Sequence, residues 1–166
     1  MNSTHPKPDE AGQTSALFAP WDLVSDGEPP LGAHLITPRR GYYHHGIYVG
    51  AGKVVHYAGL CRSLHAGPVE ELSVDRFAAN QPVWVQSCSS PKFCSKEVVC
   101  RAHSRLGESR YRLLTNNCEH FCNWCLYGES RSDQVRTYLA HPLAAVQMAI
   151  RLLAMFWLSA TPVFAR

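Results

Sequence analysis

Cysteine and histidine carry the reactive potential of this sequence. Cys118, Cys122 and Cys125 form a C-x-x-x-C-x-x-C string. That spacing holds an iron–sulfur cluster in radical enzymes, but those need a large barrel downstream, and the residues left after Cys125 are few and mostly apolar. A zinc site using His120 or Cys94 lacks the paired C-x-x-C of structural zinc. On a helix the three thiols fall at i, i+4 and i+7, on one face. Cys122 and Cys125 therefore read as core, where unpaired cysteine is common. Cys118 differs. Asn117 is a good N-cap, so Cys118 falls in the first helical turn. There the unsatisfied N–H groups and the positive dipole end favour a thiolate and can hold an oxyanion.

A nucleophilic thiol needs a base. Of the nine histidines, His44 and His56 flank Gly50-Ala51-Gly52, which reads as a hairpin turn. With a three-residue loop, Gly46 faces His56 and His44 becomes its diagonal neighbour on the same sheet face. A two-residue turn would send one imidazole to the other face. In the first register one ring can take a proton while the second orients it. Cys118, His44 and His56 together make a Cys-His-His site.

The elements that position these residues follow from the local pattern. Residues 33–37 read as a strand stopped by Pro38, residues 44–49 and 53–58 as the hairpin, and residues 61–65 and 83–86 as weak strands. Apolar Val98, Val99, Ala102 and Leu106 predict a helix over 95–106, closed by Gly107. Residues 111–114 suggest a short strand. A helix follows over 118–127, with Gly128 as its C-cap. Strands early and helices late give an α+β fold on an antiparallel sheet. Residues 1–30, rich in Pro, Gly, Ser and acidic side chains, read as a loose arm around an apolar island at 17–24.

Size and charge narrow the function. A chain of 166 residues is too short for a TIM barrel. A net charge of +3 and a pI near 8.5 do not mark a nucleic-acid binder. Seven cysteines cannot all pair, and residues 1–19 carry no secretory signal, so a reducing compartment is expected. Residues 143–164 are almost wholly apolar, long enough as a helix to cross a bilayer core of about 30 Å. Arg151 lies inside that stretch and opposes clean insertion. The segment is expected to anchor the chain at a membrane, spanning or lying on it, apart from the active site.

Two separated motifs then resemble one family. Asn117-Cys118-Glu119-His120-Phe121, followed by Tyr127-Gly128 and Arg131-Ser132-Asp133-Gln134, is similar to the signature of the lecithin:retinol acyltransferase family. His44-His45-Gly46-Ile47-Tyr48-Val49-Gly50, with Val54-Val55-His56, matches its first motif, and the branch of phospholipase A/acyltransferases fits best. The resemblance implies a circularly permuted papain-like fold, with an antiparallel sheet against helices and an apolar C-terminal helix. It divides the chain into an arm (1–30), a catalytic domain (31–138) and a membrane-associating segment (139–166). It assigns Cys118 as nucleophile, His44 as general base and acid, and His56 as the residue orienting His44. It implies no metal or organic cofactor and an acyl-cysteine thioester drawn from a phospholipid. The acyl group then passes to water, an amine or a lysolipid. It places the chain on the cytoplasmic side of a membrane and leaves the oligomeric state open. The competing readings are a cysteine peptidase or amidase of the related cell-wall hydrolase superfamily, and a non-catalytic membrane adaptor. Two positions depart from the family: His45 stands where its branches carry Trp or Tyr, and Gly32-Ala33-His34-Leu35 stands where Gly-Asp-Leu is expected. His120 reads as structural.

Overall fold

The computed structural model describes residues 22–23, 27–39, 41–60, 66–88 and 90–141, then 143, 146, 147, 149, 150 and 153. A six-stranded antiparallel sheet forms the centre, in the order β1-β6-β2-β3-β4-β5. The strands are β1 (Asp22–Leu23), β2 (His34–Arg39), β3 (Tyr42–Gly50), β4 (Lys53–Gly59), β5 (Gly67–Ser73) and β6 (Trp84–Val85). The helices are α1 (Val74–Ala78), α2 (Ser95–Ser104), α3 (Cys118–Tyr127) and α4 (Asp133–Ala140). The α+β reading and the antiparallel sheet hold. Two residues from the expected loose arm form β1, against β6.

Both faces of the central strands are covered, so β3 and β4 are buried along most of their length rather than on alternate residues. One face packs Leu35, Tyr48, Val54 and Leu72 under Phe77 of α1. The other packs Ile47, Val55, Tyr57 and Val69 against Val98 and Ala102 of α2 and Phe121, Cys122 and Cys125 of α3. The six described cysteines are free thiols.

The β3–β4 turn resolves the question of register. Gly50 pairs with Lys53, so Ala51 and Gly52 form a two-residue turn. Both have positive φ, 49° and 67°, as a type I′ turn requires. Such a turn alone would put Gly46 out of line with His56. An irregularity between Tyr48 and Gly50 absorbs one extra residue, and Gly46 faces His56 as the three-residue reading expected.

Other expectations change. Residues 111–114 form no strand: Arg112 and Asn116 close a tight turn through a single bridge. The Asn116 side chain, held by Arg105 and Glu108, fixes that turn and aims the chain into α3. Helix α2 ends at Ser104, two residues before the expected limit. Strand β5, helix α1 and helix α4 were not anticipated. The weak strand expected at 61–65 lies outside the described residues, as does most of the apolar helix expected at 143–164. The described residues from 143 on are helical. Among the described residues no helix is long and apolar enough to cross a membrane.

Candidate active site

Helix α3 begins where its sequence said it would. The Asn117 side chain accepts the N–H groups of Glu119 and His120, both at 3.0 Å. The His120 ring turns back to the Asn117 backbone N–H, which completes a capping box. His120 is thus structural, and burial lowers its pKa. Gly128 ends the helix in the left-handed region at φ 79°.

Cys118 occupies the first position of this helix and is 5% exposed. It lines an apolar pocket with Tyr42, Tyr43, Leu60, Tyr111, Leu113, Leu114, Gln134, Val135 and Tyr138. Leu139 and Ala149 also line it, so the C-terminal segment does not stand apart from the site as expected. Cys122 and Cys125 are fully buried, and burial holds their thiols protonated, that of Cys125 up to about 12. Neither is suited to attack, which leaves the helix-start thiol as the candidate.

The two expected histidines are brought together. His44 Nε2 lies 2.8 Å from His56 Nδ1, and both side chains are buried. They share the α1 face with Gly46, whereas Cys118 packs with Ile47, Val55 and Phe121 on the α3 face, so the expected thiol and the expected histidine pair stand on opposite faces of the sheet. Phe77 packs against both rings, with centroids at 5.3 and 5.8 Å. Gly46 makes room for it: a Cβ there would stand 2.9 Å from Phe77 Cε2 and 2.5 Å from Val54 Cγ1. Tyr48 packs beside Phe77, and its hydroxyl accepts the Gly52 N–H at 3.0 Å.

His45, one residue on, faces the α3 and α4 side. Its Nδ1 lies 2.9 Å from Nε2 of His34, so the two departures from the family pattern touch each other. Its Nε2 lies 2.6 Å from Nε2 of Gln134. The Gln134 carbonyl accepts the Tyr43 N–H at 3.0 Å, which turns its amide N–H toward His45. Gln134 also donates to Glu119, whose carboxylate takes the N–H groups of Asp133 and Gln134 and the Ser132 hydroxyl. That carboxylate at the start of α4 ties the helix to Cys118's neighbour. Sequence reasoning quoted Glu119 and Gln134 in a motif without giving them a role. The signal for Glu119 is an acidic residue one position from a thiol, buried where a solvated charge was the default.

Among the described residues no group of His, Cys, Asp or Glu is placed to hold a metal ion.

The sequence profile of the lecithin retinol acyltransferase family matches residues 27–131, which contain His44, His56 and Cys118. The chain belongs to that family. Phospholipase A and acyltransferase 3 of Pongo abelii is 34% identical over 135 residues, 71% of this chain and 83% of that protein. Phospholipase A and acyltransferase 2 of Homo sapiens is 36% identical over 126 residues, 64% of this chain and 76% of that one. The lecithin retinol acyltransferase of Bos taurus is 31% identical over 127 residues, 60% of this chain and 55% of that protein. Within the lecithin retinol acyltransferase family the chain therefore falls in the phospholipase A and acyltransferase branch.

Proposed function

We propose that this chain is a thiol-dependent phospholipid acyl hydrolase and acyltransferase that works through an acyl-Cys118 thioester. The enzyme class follows from the family. What carries the thioester reading is the place of Cys118, at a capped helix start on the wall of an apolar pocket suited to an acyl chain. The chain order, histidines on early strands and cysteine on a late helix, supports a circularly permuted papain-like fold.

His44 is the base and His56 orients it. The family motif supports these roles, and the contact of His44 Nε2 with His56 Nδ1 at 2.8 Å supports the orienting one. Both nitrogens of His45 are bonded to His34 and Gln134, which supports a structural role for that ring. The thiolate attacks the ester carbonyl carbon, forming an S–C bond. Asn117 takes the N–H groups of Glu119 and His120, so the oxyanion draws on the N–H of Cys118 itself. The ester C–O bond breaks, and the imidazolium proton goes to the departing lysolipid oxygen. In the second half an acceptor O–H or N–H gives its proton to His44 and attacks the thioester. Cys118 leaves as thiolate and is reprotonated.

Exposed Leu139, Leu143, Val146, Ile150 and Leu153 support contact between the C-terminal segment and a cytoplasmic membrane surface. Liposome flotation of the full chain tests this: a protein that does not float fails it.

Intact-mass analysis after mixing with phosphatidylcholine tests the chemistry. The expected result is a gain of one acyl chain, erased by hydroxylamine and absent in Cys118→Ala. Unchanged lipid turnover in Cys118→Ala would overturn the mechanism.

A further inference from the structure

The turn that leads into α3 is firmly braced, yet it presents two leucines to solvent. Arg112 and Asn116 close it through a backbone bridge, and the N–H groups of Thr115 and Asn116 both bond the Arg112 carbonyl. The Asn116 side chain donates to the Arg110 carbonyl at 2.9 Å and to Glu108, and accepts from Arg105. Asn117, the N-cap of α3, donates from its side chain to the Leu113 carbonyl at 2.9 Å. Tyr111 packs edge-on to Tyr57 and fills the space above Gly59. On this fixed base the tip holds Leu113 at 41% and Leu114 at 58% exposure. Residues 109–117 carry two arginines, Arg110 and Arg112, both exposed, and no acidic side chain.

We propose that this turn is a membrane-docking tip of the catalytic domain, which sinks Leu113 and Leu114 into a phospholipid bilayer while Arg110 and Arg112 meet anionic headgroups. It is separate from the contact made by the C-terminal segment, and it rests on the reading of the Cys118 pocket as the acyl site. Leu113 and Leu114 line the same pocket as Cys118, together with Leu139, which is 69% exposed. Side chains that line a pocket and are still half exposed form its rim. An acyl chain that reached the pocket through bulk water would expose every methylene on the way. Across a rim in contact with hydrocarbon it passes from one apolar medium to another.

Charge points the same way. Leucines flanked by arginine match the boundary between acyl chains and anionic headgroups, where a guanidinium stays near phosphate while its stem lies along apolar surface. A tip of two leucines is far smaller than the roughly 800 Å² that each partner contributes to a stable protein interface. The tip is also coupled to the site. Asn117 holds the Leu113 carbonyl with the same side chain that caps α3 in front of Cys118. Seating the leucines in a bilayer therefore sets the height of the helix start, and of its thiol, above the lipid.

Fluorescence of Leu114→Trp in the full chain tests the docking, with vesicles of phosphatidylcholine and phosphatidylglycerol whose acyl chains carry bromine near the headgroup. Quenching in excess of that of the parent's four tryptophans is expected. Quenching no greater than the parent's overturns the proposal. If the variant unfolds, amide exchange over 110–116 in the parent gives the same decision: protection on adding vesicles supports docking, and none overturns it. Protection that grows with protein concentration without lipid would assign the tip to a second copy of the chain and also overturns it. Arg110→Gln/Arg112→Gln should lose the preference for mixed vesicles over pure phosphatidylcholine, with docking about fivefold weaker for each arginine removed. Arg76→Gln, which takes a charge from α1 on the other face of the sheet, should follow the parent. An equal loss in both would show that net charge and not the turn draws the protein to lipid, against the proposal. Acyl labelling of Cys118 on the same vesicles separates the two readings. Labelling without excess quenching overturns the docking tip alone. Excess quenching with no labelling overturns the acyl site and leaves the docking supported.

Discussion

Adjacent residues of β3 each meet a second imidazole, on opposite faces of one sheet. His44 pairs with His56 at 2.8 Å and His45 with His34 at 2.9 Å. All four rings are buried. What differs is the group behind each pair. Behind His56 stands a carboxylate, Glu70. Behind His45 stands an amide, Gln134, which donates to the ring and brings no charge. Desolvation is the largest influence on the second pair and lowers the pKa of His34 and His45 to about 3, with the His45 ring adding to it at His34 and the Glu119 carboxylate opposing it there. The two pairs thus differ in the charge beside them: burial holds the His34–His45 rings neutral, whereas a carboxylate stands 3.3 Å from His56.

The largest expected effect breaks the comparison outright. His44→Ala should lower acylation of Cys118 by about 10²–10⁴-fold in a folded protein, the usual worth of a general base. His45→Ala should leave turnover within about tenfold of the parent once corrected for folded protein. It should cost about 1–3 kcal/mol of stability, because His34 and Gln134 lose a buried partner. Single-turnover acylation and urea unfolding on both variants check this. A folded His44→Ala that keeps its rate while His45→Ala loses it would exchange the two roles.

Acid separates the pairs next. The folded-state pKa of His34 and His45, about 3, lies below the ordinary value of 6.5. The unfolded chain therefore binds more protons between those limits. The stability these neutral rings contribute is present above pH 6.5 and is lost as pH falls from there toward 3. The loss is at most about 1.4 kcal/mol per pH unit for each ring. Urea midpoints at pH 7, 6 and 5 should fall steadily in the parent and less steeply in His34→Asn/His45→Gln. Equal slopes would show that other groups govern the acid limb.

The difference between the pairs was only half legible in the sequence. His44 and His56 stood at hairpin spacing beside a glycine, and Asn117 marked the helix start; those are local signals that the fold respects. The second pair depends on β2 lying beside β3, and His34 and His45 are far enough apart in the chain that no local period joins them. Glu70 was hidden for a related reason: β5 follows a stretch without strong strand pattern, and its pairing with β4 decides which of two adjacent glutamates faces His56. Helix α4 is short and half-polar, and its start is stabilised by Glu119 from another helix rather than by its own apolar stripe.

A smaller effect sharpens the comparison by testing what holds the His44–His56 pair in place. Gly46→Ala puts a methyl against Phe77 and Val54, and the strand has no slack because β2 and β4 hold it on both sides. Overpacking of this kind costs about 1–3 kcal/mol. Phe77 must move away from both imidazoles, so acylation should fall along with stability, while the His34–His45 side of the sheet keeps its pairing. Phe77→Leu in the Gly46→Ala background should restore part of both. A Gly46→Ala protein with parental stability and rate would show that the ring does not brace the pair.

The smallest effect concerns the turn that sets both pairs at once. Ala51 is exposed and sits at φ 49°, a left-handed conformation that costs an alanine about 1–2 kcal/mol, and it precedes Gly52 in a two-residue turn. Asn tolerates that conformation, and Asn-Gly is the favoured pair for this turn. Ala51→Asn should therefore stabilise the protein by about 0.5–1 kcal/mol, seen as a higher urea midpoint. The irregularity at Tyr48 to Gly50 already fixes which histidines face which side, so the gain should leave the acylation rate and its pH profile unchanged. A rate that rises with stability would mean that the hairpin slips between registers in the parent and that His44 spends part of its time on the wrong face. Amide exchange at Ile47 and Val55, on the ladder between the two pairs, separates these outcomes: uniform extra protection accompanies simple stabilisation, whereas protection gained there alone accompanies a register that had been slipping.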